Sequence, residues 1–308
     1  MDNLFRALSN RNRLRIFSAL MRGPLTVSEI CETLGISQSN ASHHLKTLLE
    51  AGMVHRRSIA GWAIYAPALD DPVVSGLATA ISASPGRTGW HDADDRALTR
   101  CYELRSSRSR EFFDRAAADW QVLSAQLPDA ETYMKDMLDM LGTGGSCVEV
   151  GCGIGRMLKP IAGRFRSVVG VDASPEMLER ARRDLSREEW PGVELRLGEA
   201  EHLPLADSSM EACLAHMVLH HLADPPGAFR EIARVLSPGG RAIVADLTLH
   251  DDAGFRASQG DLWPGFEPAQ VRRWASAAGF ACKAAMSPAE SRVFLLSFEK
   301  TGGHHGRS

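Results

Sequence analysis

The chain has 308 residues, enough for about two domains, with 44% hydrophobic and 24% charged residues, as in an ordinary soluble globular protein. No apolar run approaches the ~20 residues that span a bilayer, and the first residues lack the pattern of a secretory signal, so we expect a cytoplasmic protein with no membrane contact. The net charge of −3 is uneven, because residues 1–69 carry +4 and the remainder −7, so a polyanionic partner is expected only at the first part.

Apolar spacing and capping residues predict three helices and a hairpin in the first part of the chain. Thr26 opens the second helix, and Glu29 three residues later completes a capping-box pattern. Ser37 is a suitable cap for the third helix. The predicted elements are helices over 4–22, 26–34 and 38–51 and strands over 54–57 and 63–66, joined by a turn at 58–61.

The third helix has two unlike faces when its residues are placed at 100° intervals. Ala41, Leu45, Leu48 and Leu49 form the apolar face. Short hydrogen-bonding side chains and one cation lie opposite, and they suit base-edge and phosphate contacts in a major groove, although a merely solvated face would have the same composition. The order of helix, turn, helix and hairpin is that of a winged helix-turn-helix and favours DNA binding. The predicted DNA contacts are Gln38, Ser39, Asn40, Ser42, His43, Lys46, Arg56 and Arg57.

Residues 4–66 resemble the ArsR/SmtB family of winged-helix repressors. The segments that carry the resemblance are 4–10, 13–16, 36–46 and 49–54. It implies a homodimer, held by the first helix and residues 71–81, that binds double-stranded palindromic operator DNA. Metal-sensing members carry paired cysteines on the helix before the recognition helix, where this chain has only Cys31, so metal sensing is not expected.

The cysteine spacing predicts no metal site elsewhere either. None of the six cysteines lies within three residues of another, so the C-x-x-C spacing of a zinc site is missing. We expect free, mostly buried thiols in a reducing compartment.

From residue 147 onward, short apolar strands alternate with helices, which predicts a mainly parallel, doubly wound α/β sheet of seven strands. The predicted strands are 148–150, 168–171, 193–197, 212–215, 242–245, 282–285 and 293–298, and further helices are predicted over 67–81, 93–120, 129–141 and 174–185. The predicted division is a winged helix-turn-helix domain over 1–81, a linker and connecting helix over 82–109, the doubly wound domain over 110–299 and a disordered tail over 300–308.

A glycine-rich segment, Glu-Val-Gly-Cys-Gly-Ile-Gly over 149–155, ends a predicted strand and opens a helix. Glycines permit close approach of backbone and ligand. Asp172 ends the next strand, where an acid suits the two hydroxyls of a ribose. A dinucleotide fingerprint would need glycine at position 156, but that residue is Arg156.

This pattern, with the segments 198–204, 216–222 and 236–240, resembles the class I S-adenosylmethionine-dependent methyltransferases over residues 110–299. The resemblance implies a Rossmann-like methyltransferase domain that binds S-adenosylmethionine or S-adenosylhomocysteine. It places Asp172 on the ribose, Glu199 at the adenine edge, where the family more often has Asp, and His216 near the sulfonium. The implied cofactor-binding residues are Glu149, Gly151, Cys152, Gly153, Gly155, Asp172, Ala173, Met177, Glu199, Ala200 and His216.

Catalytic residues are harder to identify in this sequence. His220 and His221 are candidate bases, as is His250, because a histidine can accept a proton near neutral pH, although structural or adenine-stacking roles are the alternative. No N-P-P-Y signature follows the fourth strand and the cysteines of arsenite methylation are missing, so a small-molecule acceptor is expected. Residues 261–266 would be either a lid over the acceptor or buried packing.

Three functions therefore remain open. The favoured one is a transcriptional repressor whose second domain senses the cofactor. A working methyltransferase with an autoregulatory DNA-binding domain is the alternative, and the two are not exclusive. A metalloregulator is the third.

Overall fold

The computed structural model describes residues 2–59, 62–83, 89–186, 190, 192–288 and 291–302. The chain divides into two compact units, Met1–Arg105 and Ser106–Ser308. Part of the predicted hairpin turn (60–61), part of the predicted linker (84–88) and the predicted tail from residue 303 lie outside the described residues.

The first unit combines helices with a small antiparallel sheet. Its helices are α1 (Asp2–Leu8), α2 (Arg11–Arg22), α3 (Val27–Leu34), α4 (Gln38–Glu50), α5 (Pro72–Ala83) and α6 (Gly89–Ala116), the last of which continues into the second unit. Its strands are β1 (Leu25–Thr26), β2 (Val54–Ile59) and β3 (Trp62–Pro67), in the order β1-β3-β2.

Local capping explains where the helices depart from their predicted limits. The predicted helix over 4–22 is in fact two helices, because the Asn10 side chain accepts hydrogen bonds from the backbone N–H groups of Asn12 at 2.9 Å and Arg13 at 3.3 Å. Helix α5 begins at Pro72 rather than 67, since Asp71 accepts from the N–H of Val73 at 2.7 Å.

The predicted capping box of α3 is confirmed. The hydroxyl of Thr26 accepts from the N–H of Glu29, and the Glu29 carboxylate accepts from the N–H of Thr26 at 2.8 Å. Two orphan donors at the start of the helix are thereby satisfied by one pair of side chains.

The core of the first unit lies between α2, α3 and α4. Phe17, Leu20, Leu45 and Leu48 are buried in it, and each such side chain stabilises the fold by about 1.5–3 kcal/mol. Leu49 is 39% exposed, so the predicted apolar face of α4 was drawn too wide. At 100° per residue, Leu49 falls at the margin of the buried stripe that Leu45 and Leu48 occupy.

The second unit is built on one seven-stranded sheet, as the sequence predicted. Its strands are β4 (Gly144–Val150), β5 (Phe165–Asp172), β6 (Val193–Leu197), β7 (Met210–His216), β8 (Leu236–Leu247), β9 (Phe280–Met286) and β10 (Val293–Lys300). Their order is β6-β5-β4-β7-β8-β10-β9, with the first five parallel and β10 antiparallel to both β8 and β9. The helices are α7 (Trp120–Ser124), α8 (Glu131–Leu141), α9 (Leu158–Ala162), α10 (Pro175–Ser186), α11 (Pro225–Val235), α12 (Ala253–Gln259) and α13 (Pro268–Ala277), with a 3₁₀ turn at Leu219–His221.

This strand order positions a ligand site. The chain enters this sheet at its central strand, β4, and then forms β5 and β6 towards one edge. It next crosses back to form β7 on the other side of β4. Such a reversal opens a crevice at the carboxyl ends of the central strands. Val148, Val168 and Leu214 are fully buried in the sheet, which makes its central strands a rigid support.

Within the described residues, we find no helix with the length and apolar character that a membrane span requires.

Candidate nucleic-acid interface and cofactor cleft

Helix α4 turns a polar face to solvent. Ser37 caps it by accepting from the N–H of Asn40 at 3.4 Å. The six residues that the sequence predicted as DNA contacts on this helix are all exposed: Gln38, Ser39, Asn40, Ser42, His43 and Lys46. A capped helix with short polar side chains near its start has the groups that a recognition helix uses in a major groove.

Cations flank this face. Arg56 is exposed and Arg57 half-buried on β2, in the two-stranded part of the predicted wing. Lys46 forms an ion pair with Glu50 at 3.8 Å, with side chains 75% and 64% exposed. A pair so exposed contributes little free energy, so Lys46 can exchange it for a phosphate.

Other arginines of the first unit form hydrogen bonds and ion pairs within that unit. The Arg15 guanidinium bonds to Asp94 at 2.6 Å and to the carbonyl of Leu34 at 2.8 Å. Arg105 is buried and bonds to Glu29 at 2.6 Å. Burial would raise the pKa of Glu29, but the hydrogen bonds and charge of Arg105 outweigh it and hold this pKa below its usual value.

The second unit contains a cleft of about 110 Å³ at the carboxyl ends of β4 and β5. The cleft is lined by Ser109, Phe113, Trp120, Val150, Gly151, Gly153, Val171, Asp172, Ala173, Met177, Gly198, Ala200, Met217, Val218, His221 and Leu222.

The two glycines at the start of the loop after β4 differ in what surrounds them. At Gly151, with φ of 70°, a Cβ would lie 2.2 Å from Cγ2 of Val218, so a side chain has no room. At Gly153, with φ of 51°, a Cβ would meet nothing within 4 Å. Gly153 therefore contributes bare backbone to the cleft, as close approach by a ligand requires.

Asp172 holds this loop against the next strand. Its carboxylate accepts from the N–H groups of Gly153 at 2.7 Å and Ser174 at 2.9 Å. Burial raises the pKa of Asp172, and these N–H groups oppose that shift. Glu149 lies behind the loop, 2% exposed, and burial together with Asp172 raises its pKa well above the usual value. Its Oε2 has no hydrogen-bond partner among the described residues.

The lining selects against an anionic ligand. It includes the acid Asp172, and none of the described residues that line it is lysine or arginine. A pyrophosphate would therefore meet a carboxylate and no cation, whereas an aminoacyl sulfonium would be electrostatically favoured. Phe113 and Trp120 offer aromatic surface for a base. The residues present thus fit S-adenosylmethionine better than a dinucleotide.

The structure brings together part of the predicted cofactor set. Gly151, Gly153, Asp172, Ala173, Met177 and Ala200 line the cleft. Cys152 and Glu149 are buried behind it, and Gly155, with φ of 81°, packs toward Leu158 and Ala181. Glu199 lines an adjoining pocket, where its carboxylate lies 3.5 Å from Arg110.

His216 is not among the residues that line the cleft, although the next residue, Met217, is. Its Nε2 lies 3.0 Å from the hydroxyl of Tyr133 on α8, and burial lowers its pKa to about 4. His250 lies in a separate pocket, with Gln126 and Arg292.

The two predicted catalytic histidines are adjacent but differ in access. His221 lines the cleft, and burial lowers its pKa well below the usual value, which leaves the ring neutral near pH 7. His220 is fully buried, with Nδ1 2.6 Å from Asp246. Of the segment 261–266, Trp263 is 4% exposed and donates its ring N–H to the carbonyl of Leu222 at 2.7 Å, so this segment is packed in place.

Helices α6 and α7 add residues to the cleft that were not predicted from the sequence. The hydroxyl of Ser109 donates to the carbonyl of His221 at 3.2 Å, and Phe113 packs edge-on to the His221 ring at 4.7 Å. The adjacent aromatics Phe112 and Phe113 in an otherwise polar helix were the available signal. Met217, at φ of 52°, is a non-glycine residue in the left-handed region, a conformation that clusters at functional sites.

Two segments of the chain match protein-family models. Residues 10–56 match the bacterial regulatory proteins of the arsR family, and residues 148–244 match a methyltransferase domain. A curated relative is an uncharacterized 37.1 kDa protein in transposon TN4556 of Streptomyces fradiae, 35% identical over 161 residues, which are 46% of each chain. The chain thus spans less than half the length of this relative.

Solved structures show the same fold in the second unit. A methyltransferase in complex with the Haloferax volcanii activator Trm112 is 21% identical with a TM-score of 0.54, over 64% of this chain and 99% of that one. Geranyl diphosphate C-methyltransferase from Streptomyces coelicolor, solved with S-adenosyl-L-homocysteine, is 16% identical with a TM-score of 0.50, over 56% of this chain and 77% of that one. The first unit thus contains the segment that matches the arsR-family model, and the second unit has a Rossmann-like fold and contains the segment that matches the methyltransferase-domain model.

Proposed function

We propose that this chain is a DNA-binding transcriptional repressor whose methyltransferase domain binds S-adenosylmethionine or S-adenosylhomocysteine as an effector. One observation carries the proposal: the same chain presents an exposed, capped polar helix and a cleft whose glycine loop is locked by Asp172. Because both candidate surfaces belong to one polypeptide, a ligand at one would change affinity at the other if it binds two states of the chain with different free energies.

The DNA-binding role rests on α4 and the β2 strand. Exposed Ser42 and Lys46 of α4 would reach base edges and a phosphate, and Arg56 would contact the backbone near the minor groove. The chain would act as a homodimer on a palindromic operator, because each winged domain reads one half-site.

The cofactor role rests on the cleft. Gly153 would lie beside the methionine portion, Asp172 would accept from the ribose hydroxyls, and Ala200 with Phe113 would border the adenine. A neighbour with this fold was solved with S-adenosyl-L-homocysteine. S-adenosylmethionine, when bound, supplies a methyl group on a cationic sulfur.

The chain connection between the two units runs through α6. Arg105, at the end of the first unit, is bonded to Glu29, and four residues later Ser109 lines the cofactor cleft. Ordering of this helix by a ligand in the cleft would change the free energy of the DNA-binding form, which is what an effector must do.

A working methyltransferase acting on a small molecule is the second candidate. The observation that favours it is His221, a neutral histidine on the wall of the cleft that could take a proton from an acceptor. Holding the acceptor in line with the sulfonium would supply much of the remaining rate.

Fluorescence anisotropy of labelled promoter DNA tests the proposal, with and without saturating S-adenosylmethionine or S-adenosylhomocysteine. Coupling of 1–3 kcal/mol corresponds to an affinity change of roughly 5–150-fold. The Asp172→Ala variant serves as control and should bind DNA without responding to either compound. Tight DNA binding by the unmodified chain with no response to either one would reject the effector role and favour the enzyme.

A further inference from the structure

Four ionisable side chains meet in the second unit next to the cofactor cleft: His220, His221, Asp246 and Asp261. The side chains of His220, Asp246 and Asp261 have no exposed surface, and that of His221 is 10% exposed. We call this group the histidine–aspartate cluster. Removing two carboxylates from water is costly unless positive charge compensates them, and a bound cation or a proton on His220 would each supply such charge.

Asp246 fixes the orientation of His220. One carboxylate oxygen lies 2.6 Å from Nδ1 of His220, and the other accepts from the N–H groups of Leu219 at 2.8 Å and Val218 at 3.2 Å. A carboxylate at Nδ1 keeps the proton on that nitrogen and leaves a lone pair on Nε2. This Nε2 is buried, has no hydrogen-bond partner among the described residues and lies 3.7 Å from Oδ1 of Asp261.

Three atoms that can bind a metal ion lie close together. A ring nitrogen of His220, a ring nitrogen of His221 and an oxygen of Asp261 all lie within 4.8 Å of one another. Nδ1 of His221 is 3.5 Å from Oδ1 of Asp261. These separations are long for hydrogen bonds, but two ligands of a tetrahedral ion with bonds of about 2.0–2.1 Å stand about 3.4 Å apart.

We propose that His220, His221 and Asp261 bind a divalent transition-metal ion, and that Asp246 is the positioning residue for His220. Two imidazoles and one carboxylate form a donor set that suits zinc and other first-row divalent ions. The cysteine spacing gave no hint of this site, since it uses no thiolate.

The ion would join two segments that border the cleft. Asp261 follows α12, and the next two residues donate their N–H groups to the carbonyl of His220 at 3.0 Å each. A metal would add a coordinate link to these hydrogen bonds. Three protein ligands would leave at least one position for water or for an oxygen of a second ligand, and His221, one of the three, also lines the cleft.

Metal titration of the full chain tests this proposal without DNA or cofactor, so its failure would leave the proposed function standing. The protein would be dialysed against a chelator and titrated with Zn²⁺ or with Co²⁺, whose visible absorption reports its ligands. We expect one equivalent per chain with a spectrum of nitrogen and oxygen ligands. Asp261→Asn and His221→Asn each remove a ligand and should abolish tight binding, and Asp246→Asn should weaken it about 10–100-fold.

Controls separate this site from adventitious ones. The sequence carries His304 and His305 near its end and an exposed Cys282, all of which can capture metal. The His304→Asn/His305→Asn double variant and Cys282→Ser should keep the tight equivalent. Circular dichroism would confirm that each variant is folded. The proposal is overturned if the unmodified chain binds no stoichiometric ion, if a thiolate band lost in Cys282→Ser accounts for it, or if Asp261→Asn and His221→Asn, both folded, still bind.

Discussion

Helix α4 and the cleft of the second unit expose their polar groups in opposite ways. On α4 the polar side chains stand in solvent, with Ser42 and Lys46 both exposed and able to act one by one. In the cleft, Asp172 is bonded to the N–H groups of Gly153 and Ser174, so the groups form one interlocked structure. We therefore expect substitutions on α4 to change DNA affinity by separate, additive amounts. Substitutions in the cleft should instead have coupled, non-additive effects on cofactor affinity.

The largest effect is expected at Asp172. Asp172→Ala removes the carboxylate that orders the loop and that we propose binds the ribose, so S-adenosylhomocysteine should bind at least 100-fold more weakly, equivalent to about 2.7 kcal/mol. Calorimetric titration measures this. DNA affinity without cofactor should stay unchanged, and exposed Asp251→Ala should alter neither. Undiminished binding by Asp172→Ala would remove this residue from the site.

Glu29 offers a test inside the first unit. Glu29→Gln breaks its ion pair with buried Arg105 and weakens the capping box, and should cost about 2 kcal/mol of local stability. Amide hydrogen exchange across α3 (Val27–Leu34) measures it.

The same pair predicts a pH dependence. The pKa of Glu29 in the folded protein is below its unfolded value of about 4.3, so its contribution is fully present above that value and is lost as pH falls through the folded pKa. The unmodified chain and Glu29→Gln should therefore converge in stability at low pH. A difference between them that persists there would contradict this account of the pair.

Alanine variants at two glycines distinguish the effect of backbone strain on stability from the effect of a lost ligand contact on cofactor affinity. Gly153 and Gly239 both have positive φ and both would place a Cβ in open space. Alanine at either position should cost about 1 kcal/mol of stability. Only Gly153→Ala should also weaken S-adenosylhomocysteine, by about tenfold or 1.4 kcal/mol, because its methyl group would enter the cleft. Equal affinities for the two variants would show that no ligand approaches Gly153.

The smallest change is expected at Lys46. Lys46→Ala should weaken promoter binding about fivefold at every sequence and reduce the slope of log affinity against log salt by about one, as loss of a single phosphate contact requires. Anisotropy titrations at several salt concentrations measure both. Lys283→Ala, a substitution in the second unit, is the matched control. An unchanged salt slope would show that Lys46 does not meet the backbone.

Features that depend on residues close together in sequence could be predicted, and features that depend on contacts between distant residues could not. The α3 capping box and the exposed face of α4 depend on residues a few positions apart, and local spacing was enough to find them. The contact between His216 and Tyr133 could not be predicted in this way, because the two residues are 83 positions apart in sequence. The aromatic pair Phe112 and Phe113 marked a partly buried side of the polar helix α6, but it could not indicate which part of the fold that side covers.

The histidine–aspartate cluster shows the same limit more strongly. His220 and His221 stood out as adjacent histidines, but Asp246 and Asp261 come from a strand and a loop that only the folded sheet brings to them. No spacing rule joins four such positions.

Linkage between the two ligands is the most direct test of the central claim. S-adenosylhomocysteine would be titrated calorimetrically into the protein alone and into the protein saturated with its promoter duplex. If the cofactor is an effector, bound DNA must change the dissociation constant of the cofactor by the same factor by which the cofactor changes that of the DNA. We expect this factor to be roughly 5–150-fold. Identical dissociation constants in the two titrations would contradict the account and leave two independent activities on one chain.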